Sequence, residues 1–274
     1  MCKKVYNSAP LPFMGQKRRF VKDFKKVLKS TSGITTIVDL FGGSGLLSHV
    51  AKSVLPHIRV VYNDYDGYSE RINNIATTNK IIAKIRQLLK SVPTDKKVPE
   101  NIRVEILKLL EAYDKAGYVD YLTIGSSILF SGKWVNSLAE LSKQTMYNCC
   151  RTTDYCADGY LEGLEIVCKD YKELFKEYRD NKEVLFLVDP PYLSTEVGAY
   201  KCYWKLSDYL DVLNVIEKSK YIYFTSNKSQ VIELCQWIAK NPDFGDPFNG
   251  AEIHTQTSNI NYQSGYVDIM LVKK

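Results

Sequence analysis

The chain has 274 residues, 45% apolar and 25% charged, with a net charge of +6 at pH 7, enough for one large domain or a domain carrying an insertion. No apolar run reaches the length of a membrane span and the N-terminus MCKKVYNSAPLPF has no secretory-signal character, so a soluble, cytoplasmic protein without a membrane partner is expected. Seven cysteines without a CxxC spacing, and three scattered histidines (His49, His57, His254), argue against a disulfide framework and against a metal site.

In chain order, residues 1–30 come first. They hold nine Lys or Arg against the single acid Asp23, a local charge of +8, so the remaining 244 residues sum to −2. Such a cluster can neutralise phosphates, or it can be a solvated helix face. Residues 34–41 (ITTIVDLF) form a buried-type strand ended by Gly42-Gly43-Ser44-Gly45, with a helix over about 46–55. A second strand, 58–62, stops at Asn63-Asp64. From 73 to 163 the strand–helix rhythm lapses. Helical patterns at 80–90 and 100–115 are followed by an irregular polar and aromatic stretch from Phe130 to Tyr160. That is far longer than an ordinary βα connection and predicts an insertion. Strands then recur at 164–168, 184–188 and 221–225, with helices at 171–179, 208–218 and 230–240. Residues 252–256 and 265–272 read as an antiparallel pair. The pattern predicts an α/β fold, a mostly parallel Rossmann-like sheet with a C-terminal antiparallel hairpin, built from 1–72 and 164–274 around a mainly helical insertion, 73–163.

Three constellations carry chemistry. Asp39-Leu40-Phe41-Gly42-Gly43-Ser44-Gly45 sits at a strand-to-helix turn, where glycines let the backbone approach a ligand and the acid can accept from an amino or hydroxyl group. No Gly-Lys-Ser/Thr follows, so it is not a phosphate loop. Asp64, at the end of the next strand, is placed to bind both hydroxyls of a ribose, which predicts a nucleoside-containing cofactor. Asp189-Pro190-Pro191-Tyr192 directly follows the apolar strand VLFLV. Its carboxylate and a proline carbonyl can accept the two hydrogens of a nucleobase amine, favouring the tetrahedral nitrogen that attacks a methyl group, and Tyr192 can stack on the base.

VDPPY, with DLFGGSG upstream and NDYD between, resembles the Dam-like family of DNA adenine-N6 methyltransferases. The resemblance continues through PFMGQKRRF, VCKDYKEL, YWKLSDYLDVL and YIYFTSNKS, and covers most of the chain outside 80–160. Gln16 stands where the family usually has glycine. The resemblance implies S-adenosylmethionine as cofactor, held by Phe13, Lys17, Phe41, Gly43 and Asp64. Asp39 would lie near the cofactor's amino group, Lys17 near its carboxylate, Asp170 near its adenine, and Asp189 close to it as well. It also implies a bacterial or phage protein that flips its target base out of double-stranded DNA. The insertion would be the target-recognition domain, with Lys133, Trp134, Asn136 and Arg151 as candidate DNA contacts. A cognate restriction endonuclease is a further candidate partner.

The rival readings are a methyltransferase acting on RNA adenine or on protein glutamine, and a silent DNA-binding relative. The first group usually carries Asn at the start of the DPPY motif and lacks a long insertion here. The second is disfavoured by the joint presence of Asp39, Asp64, Asp189 and Tyr192. Cytosine carbon-5 chemistry lacks its Pro-Cys motif.

Overall fold

The computed structural model describes residues 5–130, 133–191, 205–216, 218–227, 229–240, 247–259 and 265–274. They divide into two compact units, one of residues 1–8, 15–66 and 160–274, the other of 9–14 and 67–159.

The first unit is built on a seven-stranded sheet. Its strands are β1 (Thr36–Asp39), β2 (Arg59–Asn63), β3 (Glu165–Val167), β4 (Val184–Val188), β5 (Lys220–Ser226), β6 (Glu252–Asn259) and β7 (Gly265–Lys273), in the order β3-β2-β1-β4-β5-β7-β6. The pairs from β3 through β5 are parallel, whereas β7 runs antiparallel to both β5 and β6. This is the mostly parallel, Rossmann-like sheet with a terminal hairpin expected from the sequence. β4 reads VLFLV without a polar residue because it is buried on both faces, as a central parallel strand must be.

The two-residue period of the strands sorts their side chains into two cores. On one face Ile37, Val60, Leu185, Leu187, Ile222 and Phe224 pack against α1 (Val21–Ser30) and α2 (Leu46–Val54). On the other, Val38, Val61, Phe186, Val188 and Tyr223 meet α8 (Tyr171–Tyr178), α9 (Leu206–Ile216) and α10 (Val231–Ala239). The sequence assigns no core helix to residues 21–30, because basic side chains dominate that stretch. The stripe Val21, Phe24, Val27, Leu28 is nevertheless buried there, with helical spacing. β1 is shorter than its expected span. Leu40 donates a last ladder bond to the Leu187 carbonyl at 3.1 Å, and the chain then enters the glycine turn.

The second unit has a core of its own. It contains α3 (Tyr68–Asn73), α4 (Ile75–Leu88), α5 (Glu100–Ala116), α6 (Tyr121–Ile128) and α7 (Leu138–Ser142). Ile81, Ile85, Ile106, Leu110, Ile124 and Leu141 close its interior. Asp120 caps α6 by accepting from the Thr123 amide at 3.0 Å and pairs with the buried Arg71 guanidinium, also at 3.0 Å. Segment 9–14 is fastened to this unit. Tyr68 Oη receives the Leu11 amide at 2.9 Å, and Arg71 Nη2 donates to the Pro12 carbonyl at 2.8 Å.

Candidate functional site

In an open α/β sheet the ligand crevice lies beyond the carboxyl ends of the strands where the strand order reverses. Here the chain runs outward from β1 to β3 and returns to β4, so the reversal falls between β1 and β4. The two strands pair in parallel with Asp39 opposite Leu187. Asp39 therefore closes β1, and Asp189 follows β4 on the same edge.

Asp39 is buried, and its Oδ2 accepts from Ser48 Oγ of α2 at 2.7 Å. Its Oδ1 is buried with no hydrogen-bond partner among the described residues. Burial pushes its pKa up to about 7. The Ser48 hydrogen bond opposes that shift, the charge of Asp189 adds to it, and the Phe41 amide and Lys17 pull the other way. Asp189 is also raised by burial, opposed by the charge and hydrogen bond of Lys17, with a smaller upward push from Asp268 on β7. Lys17 is itself buried; its ammonium lies 2.6 Å from Asp189 Oδ2 and donates to the Gly15 carbonyl at 2.9 Å. Two unlike signals in the sequence, the N-terminal basic cluster and DPPY, thus meet in one ion pair.

The glycine turn is shaped by β2. Tyr62, the fourth residue of that strand, is buried with its hydroxyl 2.8 Å from the Gly43 carbonyl and 3.0 Å from Asp64 Oδ1. A Cβ on Gly42 would lie 2.3 Å from the Tyr62 ring and 2.8 Å from the Asn63 carbonyl, so a side chain at position 42 would force the turn or β2 to shift. Gly43 and Gly45 hold φ of 47° and 71°, a region L side chains rarely adopt. Asn63 staples three strand ends: its amide donates to the carbonyls of Leu40 and Lys169, at 3.0 and 2.9 Å, and accepts from the Lys169 amide. Behind the turn, His49 Nε2 accepts from the Tyr6 amide at 3.0 Å and its Nδ1 lies 2.7 Å from the Tyr160 carbonyl, which selects the neutral ring. The Tyr160 hydroxyl then donates to the Ser44 carbonyl at 3.0 Å.

Of the residues singled out in the sequence, Lys17, Asp39, Gly43, Asp64 and Asp189 gather at this edge. Pro190 is buried and Pro191 half-buried beside them. Phe41 stacks at a tilt on Tyr171, with ring centroids 4.9 Å apart. Asp170 is exposed and serves as the N-cap of α8, accepting from the Lys172 amide at 2.7 Å. Phe13 belongs to the second unit, edge-on to Tyr68 at 5.7 Å. Tyr192 lies outside the described residues.

The four candidate DNA contacts are all in the second unit. Lys133 and Asn136 are exposed and Trp134 is half-buried. The Arg151 guanidinium lies 3.9 Å from the centre of the Tyr155 ring and donates to Thr153 Oγ1 at 2.8 Å. Among the described residues no group of three or more His, Cys, Asp or Glu could hold a metal ion, and no helix is long and apolar enough to cross a membrane.

Sequence reasoning did not single out Ser48, Tyr62 or Asp268. Ser48 had a signal, a polar residue within the apolar run of a short helix. Tyr62 and Asp268 had none, since each owes its place to strand neighbours distant in sequence.

A family model described as D12 class N6 adenine-specific DNA methyltransferase matches residues 13–115. A Haemophilus influenzae protein that carries the provisional name of methyltransferase is 40% identical over 247 residues, which cover 87% of this chain and 82% of the relative. Among solved structures, a SAM-dependent methyltransferase from Agrobacterium tumefaciens aligns with a TM-score of 0.41 at 10% identity, over 95% of this chain and 64% of that one. A precorrin-6y C5,15-methyltransferase from Geobacter metallireducens aligns at 0.38 and 8%, over 99% and 100%. Both likenesses are too loose to bear on substrate.

Proposed function

Because the chain belongs to the family of D12 class N6 adenine-specific DNA methyltransferases, we propose that it methylates the exocyclic amine of adenine within a short sequence of double-stranded DNA. The observation that carries this reading is the pair of strand-end acids in opposite circumstances. Asp39 keeps one buried oxygen, Oδ1, with no well-formed hydrogen bond among the described residues, while Asp189 is ion-paired with Lys17.

An orphaned buried acceptor costs about 1–3 kcal/mol, and an ammonium group would satisfy it. The residues therefore fit S-adenosylmethionine, with Asp39 taking its amino group and Asp64 accepting from the ribose hydroxyls. Gly43 would allow close backbone approach, and Phe41 would supply apolar contact. The roles of Phe13 and Asp170 rest on the family resemblance, as does that of Lys17 toward the cofactor carboxylate. When bound, S-adenosylmethionine supplies an electrophilic methyl group on a sulfonium.

The target amine is a poor nucleophile, because its lone pair is delocalised into the ring. Asp189 accepts one of its hydrogens and the Pro190 carbonyl the other, which draws the nitrogen toward a tetrahedral shape. As positive charge grows on nitrogen, a carboxylate fixed at a site shielded from water stabilises it strongly. Lys17 favours that ionised state against the desolvation that opposes it. Reaching the amine requires the adenine to leave the stack, at a cost of a few kcal/mol. Tyr192 is the residue proposed to hold it by stacking. The helical unit, through Lys133, Trp134, Asn136 and Arg151, is proposed to read the flanking bases.

Transfer of tritium from labelled S-adenosylmethionine to duplex DNA, with sequencing of the modified bases, tests this. N6-methyladenine at one short motif is the expected result, abolished by Asp189→Ala while DNA binding persists. Label appearing only in RNA or in protein glutamine would replace the reading, and near-normal adenine methylation by Asp189→Ala would remove Asp189 from the chemistry.

A further inference from the structure

Asp64 is an acid at a strand end, and the terminal torsion of a carboxylate is broad. Something must hold it in the orientation a ribose would need. Tyr62 is two residues earlier on β2, fully buried. Its ring fills the space under the glycine turn, where a Cβ on Gly42 would strike it at 2.3 Å and one on Gly45 would lie 3.3 Å from Cζ. Its hydroxyl has a single proton and faces two acceptors, the Gly43 carbonyl at 2.8 Å and Asp64 Oδ1 at 3.0 Å. Burial, with the neighbouring charge of Asp64, lifts the phenol well above its ordinary range, so it stays a donor at any working pH.

We propose that Tyr62 is a positioning residue for cofactor binding. Its hydroxyl ties the Asp64 carboxylate to the Gly43 carbonyl, so that acid and glycine turn meet the cofactor's ribose as one preorganised unit. A group held in its bound orientation beforehand loses less freedom on binding. The clash distances at Gly42 show that ring and turn are fitted to each other, and the hydroxyl adds a polar link that packing alone does not require. This rests on the reading of the site as one for S-adenosylmethionine.

Tyr62→Phe separates the two contributions, since it keeps the ring and deletes the link. The test is a double-mutant cycle of Tyr62→Phe and Asp64→Ala, measured by calorimetry with S-adenosylhomocysteine. Steady-state KM for S-adenosylmethionine and kcat are measured in parallel. Tyr62→Phe is expected to melt close to the unsubstituted protein and to weaken binding roughly ten- to a hundredfold, the usual worth of a hydrogen bond to a charged group. KM should rise by a similar factor, while kcat changes much less. The double variant should bind no worse than Asp64→Ala alone, because the route runs through that carboxylate, and alanine removes the acceptor that asparagine would keep. Unchanged affinity in Tyr62→Phe, losses that simply add in the double variant, or a Tyr62→Phe protein that no longer folds would each overturn the proposal. Failure of the site reading looks different: the unsubstituted protein would not bind S-adenosylhomocysteine, or Asp64→Ala would bind it normally.

Discussion

At the scale of single residues, burial decides what each acid can do. Asp39 has its pKa lifted to about 7, first by desolvation. In the free protein the folded state therefore favours the protonated form, and the stability this contributes is present below the unfolded value of 3.8 and lost as pH rises through 7. A cationic amine needs the opposite form. Affinity for S-adenosylhomocysteine should thus fall as pH drops below 7, approaching tenfold per unit. Calorimetry between about pH 5 and 7, where a free α-amino group stays mostly protonated, checks it. Asp39→Asn should bind weakly with a flat profile. An equally flat profile in the unsubstituted protein would take Asp39 out of contact with the amine.

At the scale of elements, the glycine turn and α1 behave differently under substitution. Gly42→Ala puts a methyl group 2.3 Å from the Tyr62 ring and 2.8 Å from a backbone carbonyl. The carbonyl cannot yield, so the turn or β2 must shift. A loss of about 1–3 kcal/mol is expected for overpacking, together with weakened cofactor binding; a variant as stable and as tight as the parent would show that the turn is softer than its geometry. Helix α1 invites a different test because its apolar stripe is buried against the sheet while Lys22, Lys26 and Lys29 are exposed. Part of the cluster is already engaged: Arg19 Nη1 donates to the Thr257 carbonyl at 3.3 Å and Lys26 pairs with Asp23 at 3.1 Å. If the exposed side holds DNA, replacing Arg18, Arg19 and Lys22 with Gln should lower affinity. The logarithmic salt slope should flatten by about 0.9 for each phosphate no longer neutralised. A slope that does not change assigns the cluster to solvent.

At the scale of the whole molecule, two units with separate cores suggest a division of labour that mutation can test. Arg151, held over Tyr155, belongs to the helical unit. Arg151→Ala should cost about 1–3 kcal/mol of discrimination at one base pair, measured by sequencing methylated sites, with S-adenosylhomocysteine affinity unaffected. Unchanged site preference would exclude it from base reading. The sheet, its hairpin and the acids at its carboxyl edge were legible in the sequence because each is a local signal. β4 is a run of five apolar residues, and Asp39, Asp64 and Asp189 each stand where such a run meets a turn. The rest depended on which groups the folded backbone brings together. Lys17 could not be assigned to Asp189 until the fold brought residue 17 beside the end of β4, and Ser48 was tied to Asp39 only by the path of the glycine turn between them. Asp170 reads equally well as a ligand or a helix cap until its carboxylate is seen on the Lys172 amide. Residues 9–14 fall in the helical unit only because Tyr68 and Arg71 capture their backbone. Sequence alone determined which chemical groups stand at the strand ends, since periodicity and turn residues act over a few positions. Which of them are buried, paired or left without a partner was decided only by tertiary structure, because desolvation and ion pairing depend on what the folded chain brings alongside.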